Sequence, residues 1–205
     1  MPAFDLFSIG HSNIPADRFL ATLQGAGVNA LADVRSAPFS RFFPWFSQQA
    51  LAARLAEAGM TYTFMGAALG GRPRDERLYR DGVADYEAMA MQAEFRDGLQ
   101  RLIDTVAQSR ICLLGAEREP LDCHRCLLVT RHLAESGLSV GHILHDGTFE
   151  PHAATERRLL ALYDDDCDLF EAGQASRLAA AYRRRAKAVA FRQKSSASRR
   201  AAEKR

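Results

Sequence analysis

Cys123, His124 and Arg125 stand side by side in the chain, and together these side chains could do chemistry on an anionic substrate. A thiolate is a nucleophile, an imidazole transfers protons near neutral pH, and a guanidinium binds phosphate through a fork of N–H groups. Glu117 and Asp122 come shortly before them, so a carboxylate is also available for proton transfer. We therefore predict Glu117, Cys123 and His124 as catalytic residues and Arg125 as a substrate-binding residue.

The elements around this group indicate how it is positioned. An apolar run from Ile111 to Leu114 predicts a strand that is buried on both faces, and Gly115 ends the run. Asp122 is a favourable N-cap residue, so we expect a helix whose first turn contains Cys123. The free N–H groups and the dipole of a helix N-terminus lower the pKa of a thiol, which predicts a thiolate at neutral pH if Cys123 is accessible. The alternative is a partly buried thiol that only packs against its neighbours.

The same arrangement of an apolar run followed by a polar loop recurs along the chain. Runs at residues 4–9, 30–34, 62–65 and 139–144 predict further strands, and the helical patterns between them predict parallel pairing. Ligands bind such sheets beyond the carboxyl ends of the strands. The loops at that edge supply one more predicted catalytic residue, His11, and the predicted substrate-binding residues Ser12, Asp33, Arg35, Arg41 and Arg72, while His145 and Asp146 follow the last strand.

An aromatic loop at residues 36–46 follows the second predicted strand. It carries five aromatic rings around Arg41, and two prolines stiffen it. Aromatic rings interleaved with an arginine can stack on bases or cover a ligand as a lid. Because exposed apolar patches of this size are uncommon, we expect most of the rings to anchor the loop to the core instead.

The composition indicates one globular protein in a reducing compartment. The chain has 205 residues, 47% of them hydrophobic, which is enough to bury one sizeable core. No apolar run approaches the roughly 20 residues needed to span a bilayer, and the first residues lack a signal-like pattern. The four cysteines are therefore expected to be reduced thiols, and we predict a cytoplasmic location without a membrane partner.

The carboxyl-terminal part differs from the rest of the chain. From Ser176 onward it has eleven Lys and Arg and one acidic residue. Such a segment can contact nucleic acid, but a solvated helix followed by disorder is the favoured interpretation. We predict an α/β domain at residues 1–150, a helical extension packed on it at 151–191, and a basic, disordered tail at 192–205.

Several of these motifs occur together and in order, which makes the chain resemble a known family. They are Gly10-His11-Ser12, Asp33-Val34-Arg35 with Pro38 and Ser40-Arg41, Leu69-Gly70-Gly71, and Glu117 with Cys123-His124-Arg125. Over residues 4–145 the chain resembles the domain of unknown function 488 family. The resemblance implies an α/β domain with a Cys-His-Arg site, in a family without a settled activity. Members usually have cysteine where this chain has Gly115, and we expect Cys126, which could replace it, to pack inward.

These patterns favour a fold of the α/β class. We predict a Rossmann-like, three-layer α/β/α arrangement with a mostly parallel sheet of about five strands and a C-terminal helical extension. The predicted function is that of a hydrolase or transferase acting on an anionic, phosphate-bearing substrate. That substrate would be a small molecule such as a nucleotide, or a nucleic acid, and no cofactor is expected.

Two other functions fit the same residues. A non-catalytic nucleic-acid or anion-binding module would use the arginines and the aromatic loop, with Glu117 and His11 only ordering them. A thiol redox protein would use Cys123 and Cys126 as a Cys-x-x-Cys pair at a helix start.

A metal site is not predicted. Cys123, His124 and Cys126 lack a second ligand pair at zinc-finger spacing. His142 and His145 lie three residues apart on or just after a strand, where side chains alternate between the two faces, so they should not converge.

Overall fold

A computed structural model of the chain describes residues 3–163 and 173–193. Its centre is a six-stranded sheet, accompanied by a short two-stranded hairpin. The strands, in chain order, are β1 (Leu6–Gly10), β2 (Ala30–Asp33), β3 (Thr61–Phe64), the hairpin strands β4 (Tyr79–Arg80) and β5 (Val83–Ala84), then β6 (Ile111–Gly115), β7 (Val140–Ile143) and β8 (Phe149–Pro151).

The order of strands across the sheet is β3-β2-β6-β1-β7-β8. The first five of these pair in parallel, and β8 pairs antiparallel with β7 at the edge. All residues of β1, β2, β6 and β7 are buried, as expected for parallel strands covered on both faces. The prediction of an α/β fold with a mostly parallel sheet is confirmed.

Helices cover both faces of the sheet and make three layers. On one face, α1 (Ala16–Gly25) and α2 (Gln48–Glu57) bury Phe19, Leu23, Leu51 and Leu55 against the strands. The opposite face carries α3 (Gly66–Leu69), α4 (Tyr86–Ala90), α5 (Ala93–Val106), a π-helical segment (Arg125–Thr130) that continues into α6 (Arg131–Glu135), α7 (His152–Ala161) and α8 (Gln174–Val189).

The C-terminal helical extension is present and packs on the sheet domain. Leu159 of α7 and Tyr182 of α8 are buried in the same core as the strands. After α8 the chain pairs with the hairpin, because Arg192 forms a β-bridge with Val83. Residue 192, predicted as the start of a disordered tail, is therefore paired, and the tail from 194 onward lies outside the described residues.

Some local details differ from the sequence predictions. The hairpin and β8 are too short to give a period-two pattern, and they were not predicted. Residues 85–108 carry one long helical pattern in the sequence but form two helices, separated at Met91 and Gln92. In the part of the chain that the structure describes, no helix is both long and apolar enough to cross a bilayer.

Candidate active site

A cleft of about 330 Å³ lies at the carboxyl edge of the sheet. It is lined by loops that follow β1, β2, β3 and β6 and by the end of α8. The convergence of polar side chains at this edge was predicted from the alternation of strands and helices. The predicted site residues that line the cleft are His11, Arg35, Arg72, Glu117 and His124.

His11 lies directly after β1, and its ring is held in place on two sides. It stacks on Phe46 with 4.3 Å between ring centroids, and its Nδ1–H donates to the carbonyl oxygen of Ser12 at 3.0 Å. Burial, together with the nearby Arg35 guanidinium, lowers the pKa of His11 to about 4. The ring is therefore neutral at pH 7, with a lone pair on Nε2 that can accept a proton or a hydrogen bond.

Arg35 is held by a buried carboxylate behind it. Its Nε and Nη2 donate to the two oxygens of Asp33 at 2.9 and 2.6 Å, and Tyr62 donates its hydroxyl to the same carboxylate at 2.7 Å. The third guanidinium nitrogen, Nη1, is buried and has no partner among the described residues. Asp33 was predicted to bind substrate, but it is fully buried and instead fixes the orientation of Arg35.

Arg72 faces the cleft from the loop after α3. Its backbone N–H donates to the hydroxyl of Ser36 at 2.9 Å, which ties this loop to the loop after β2. Its guanidinium lies 4.7 Å from the ring centroid of Phe191. No ion pair joins Arg72 to a carboxylate within the described ranges, so its charge remains available to an anionic ligand.

Glu117, Cys123 and His124 meet at one end of the cleft. The thiol of Cys123 donates to the carboxylate of Glu117 at 2.8 Å, and His124 donates from Nε2 to the carbonyl oxygen of Val34 at 2.7 Å. Burial lowers the pKa of His124, so this ring is also neutral. Burial alone would raise the pKa of Glu117, but the hydrogen bond from the Cys123 thiol and the nearby Arg125 guanidinium hold this pKa below its ordinary value.

Cys123 is not in the environment that was predicted for it. Asp122 ends a short 3₁₀ turn and pairs with Arg185, and the following helix begins without a side-chain cap. Cys123 itself is 1% exposed, and burial raises the pKa of its thiol to about 12. The prediction of a thiolate at neutral pH is therefore wrong, because desolvation outweighs the helix N-terminus and Arg125.

Arg125 was predicted to bind substrate, but the structure places it beneath the cleft. Its side chain is fully buried, and its Nη1 and Nη2 donate to the carbonyl oxygens of Glu117 and Arg118 at 2.7 and 3.3 Å. A Cβ on Gly10 would lie 1.8 Å from the carbonyl oxygen of Glu117, so the loop can cross the end of β1 only over a glycine. Arg125 and Gly10 together position Glu117 at the cleft.

The second thiol of the Cys-x-x-Cys pair, Cys126, contacts different side chains from the first. The sulfur of Cys126 lies 3.9 Å from Nε2 of His142, so Cys126 packs inward as expected and does not contact the cleft. A Cβ on Gly115 would lie 2.8 Å from the sulfur of Cys123. Position 115 is therefore the place from which a second thiol would face Cys123, and this chain has glycine there.

Several other predicted residues lie outside the cleft lining. Ser12 has a left-handed backbone with a φ of 42°, and its carbonyl oxygen accepts the hydrogen bond from Nδ1–H of His11. Arg41 is exposed on the aromatic loop, and His145 with Asp146 does not reach the cleft. Of the aromatic rings, Phe46 anchors the loop as expected, whereas Phe39 and Phe42 are 73% and 79% exposed.

Sequence reasoning missed some of the lining residues. Ser36 and Tyr86 line the cleft, together with Val189 and Phe191 at the end of α8. Ser36 lies between the predicted Arg35 and the aromatic loop, so its position was a usable signal. Nothing in the local sequence indicates that the chain returns to this edge at Phe191.

A comparison with protein-family models matches residues 15–132 to Domain of unknown function DUF488. No curated protein and no solved structure matches the chain. The matched region spans more than half of the chain and includes Arg35, Arg72, Glu117 and His124 of the cleft. The chain belongs to the DUF488 family of domains of unknown function.

Proposed function

We propose that the cleft binds a phosphate-bearing small molecule, best a nucleotide, and that the protein is a hydrolase or transferase acting on it. The observation that carries this proposal is that Nη1 of Arg35 has no partner within residues 3–163 and 173–193, although the Arg35 side chain lines the same cleft as Arg72. A buried N–H group without an acceptor costs free energy, and an anionic oxygen that reached Nη1 from the cleft would remove that cost.

The aromatic loop favours a nucleotide over a free phosphate. Phe39 lines the cleft and exposes most of its ring, so a base could stack on it while the phosphates meet the arginines. The cleft volume of about 330 Å³ suits a small molecule.

The proton-transfer group in this proposal is Glu117. A water molecule or a hydroxyl group beside the bound phosphoryl group would give its proton to the Glu117 carboxylate. Arg35 and Arg72 would stabilise the charge on the phosphoryl oxygens as the bond to the leaving group breaks. The neutral His11 would accept a hydrogen bond from the substrate at its Nε2, and the leaving group would take its proton from solvent. Cys123 keeps its proton and holds Glu117, so it is a positioning residue and not the nucleophile.

The proposed location is the cytoplasm. Cys112, Cys123 and Cys126 are free thiols, which fits a reducing compartment.

The test separates an enzyme from the alternative, a non-catalytic anion-binding or nucleic-acid-binding module. The full chain and its Glu117→Gln variant are incubated with a panel of nucleotides, dinucleotides and phosphomonoesters, and released products are measured by chromatography. We expect turnover of at least one compound by the wild type and a loss of about a hundredfold or more in the variant, with binding retained. Binding without turnover by the wild type would favour the binding module.

A further inference from the structure

A group of side chains of the kinds that bind metal ions lies in the interior, away from the cleft. Cys126, His142 and His152 come from the π-helical segment, from β7 and from the first turn of α7. All three are buried, and one sulfur and two nitrogen ligand atoms lie within 4.8 Å of one another. We infer that these three residues form a transition-metal site that binds Zn²⁺.

The distances between the ligand atoms suit such an ion. Nε2 of His142 lies 3.0 Å from Nδ1 of His152 and 3.9 Å from the sulfur of Cys126. A tetrahedral zinc ion with ordinary bond lengths separates two imidazole nitrogens by about 3.3 Å and a nitrogen from a sulfur by about 3.6 Å. Shifts of a few tenths of an ångström bring these two pairs of ligand atoms to those separations, and the third pair, the sulfur of Cys126 and Nδ1 of His152, lies within 4.8 Å.

Each of the two rings has an inner nitrogen, which faces the other ligand atoms, and an outer nitrogen, which faces away from them. Both outer nitrogens already have partners that orient the rings. Nδ1 of His142 lies 2.7 Å from the hydroxyl of Ser8, and Nε2 of His152 lies 3.0 Å from the hydroxyl of Tyr182. Tyr182 in turn donates to Glu156 at 3.0 Å. Metal-binding histidines typically donate their second ring N–H to such a partner, which fixes the tautomer and directs the other nitrogen at the metal.

Binding of Zn²⁺ would release one proton, that of the Cys126 thiol. With Ser8 and Tyr182 as acceptors, each ring carries its proton on the outer nitrogen and remains neutral, so both inner nitrogens present lone pairs. The thiol of Cys126 loses its proton to solvent and becomes the thiolate ligand. The ion and the thiolate leave a net charge of +1, and the fourth coordination position is open to a water molecule.

The choice of metal follows from the ligands. One thiolate and two imidazoles are a donor set that zinc prefers over magnesium or calcium, which take oxygen ligands. The segment that supplies Cys126 is a π-helix, a conformation that is rare and frequently found at functional sites. Tyr182, which contacts His152, also lines a neighbouring cleft of about 320 Å³.

Cobalt substitution tests the inference directly. The full chain is treated with a chelator under reducing conditions and titrated with Co²⁺, and then Zn²⁺ is added to displace the cobalt. We expect one Co²⁺ per chain, with the visible absorption of tetrahedral cobalt and a thiolate-to-cobalt charge-transfer band, and full displacement by Zn²⁺. The absence of saturable binding with these bands would overturn the inference.

Matched variants locate the site. Cys126→Ser should abolish the charge-transfer band and weaken Zn²⁺ binding about a hundredfold or more. His152→Gln, at the rim of the buried group, should weaken it similarly, and it provides the decisive variant if Cys126→Ser does not fold by circular dichroism. The controls are Cys112→Ser and Cys123→Ser, which should retain the bands. Loss of the bands in Cys123→Ser with retention in Cys126→Ser would overturn the inference, because it would move the metal to Glu117, Cys123 and His124.

Discussion

Arg125 and Arg72 lie at the same edge of the sheet, yet their side chains have opposite surroundings. The guanidinium of Arg125 is buried and donates to two backbone carbonyl groups, whereas Arg72 is exposed and its guanidinium lies over the ring of Phe191. We call Cys123 and Arg125 the floor of the cleft, and Arg72 and Phe39 its wall. The contrast teaches that residue type at a strand end does not decide the role. What decides the role is whether the side chain lines the cleft, as Arg72 does, or lies buried beneath it, as Arg125 does.

The largest expected effect of burial in the floor is on the reactivity of the Cys123 thiol. Burial raises the pKa of this thiol from 9.0 to about 12, which lowers the thiolate fraction near neutral pH about a thousandfold. We expect alkylation of Cys123 at pH 8 to be slower by at least that factor in the native chain than in the chain unfolded in urea. Peptide mapping by mass spectrometry follows this cysteine separately from the others. Rapid native alkylation with an apparent pKa near 8 would instead make Cys123 a nucleophile.

Arg125 should contribute far more to stability than Arg72 does. Arg125→Met keeps most of the volume but leaves the carbonyl groups of Glu117 and Arg118 without donors. We expect the free energy of unfolding to fall by about 3 kcal/mol. Urea unfolding followed by circular dichroism measures the change. The matched Arg72→Met variant should change it by less than about 0.5 kcal/mol. Equal effects of the two substitutions would remove the distinction between floor and wall.

His11 makes the cleft sensitive to acid. Its pKa is about 4 in the folded protein against an ordinary value of 6.5, so as the pH falls the unfolded chain takes up the proton first. The stability linked to His11 is present above pH 6.5 and is lost between about pH 6.5 and 4. Between pH 7 and pH 5 we expect the wild type to lose up to about 2 kcal/mol more of its free energy of unfolding than His11→Gln does. The same urea experiment at the two pH values measures it, and parallel losses in both proteins would contradict the assigned environment.

The smallest expected effect distinguishes two rings of the aromatic loop, Phe39 and Phe42. Both rings are exposed on the aromatic loop, but only Phe39 lines the cleft. Phe39→Ala should weaken nucleotide binding about fivefold, the effect of losing roughly 1 kcal/mol of stacking, and leave pyrophosphate binding unchanged. Calorimetric titration measures both ligands. Phe42→Ala is the control and should alter neither, so a matching loss in that variant would contradict stacking at the cleft.

The sequence alone was sufficient for the architecture of the sheet and for the edge that carries the cleft. Apolar runs such as residues 111–114 predict buried parallel strands, and parallel strands bring the loops after them to one edge. His11, Arg35 and Glu117 were predicted on that argument, and the structure brings them together.

The sequence could not show how deeply each of these side chains is buried. At a helix start, exposure allows the pKa of a cysteine thiol to fall, whereas burial raises this pKa. The local sequence around Cys123 is compatible with either environment. Arg125 and Arg72 could not be distinguished for the same reason. The proximity of His142 and His152 depends on the antiparallel return of β8, which is too short to predict.

The most direct test of the account is calorimetric titration of the wild type, Arg72→Gln and Arg74→Gln with a nucleoside diphosphate and with pyrophosphate. Arg74 is a neighbouring exposed arginine that does not line the cleft. The account predicts saturable one-site binding that is weakened about tenfold in Arg72→Gln and unchanged in Arg74→Gln. No saturable binding by the wild type, or equal weakening in both variants, would contradict it.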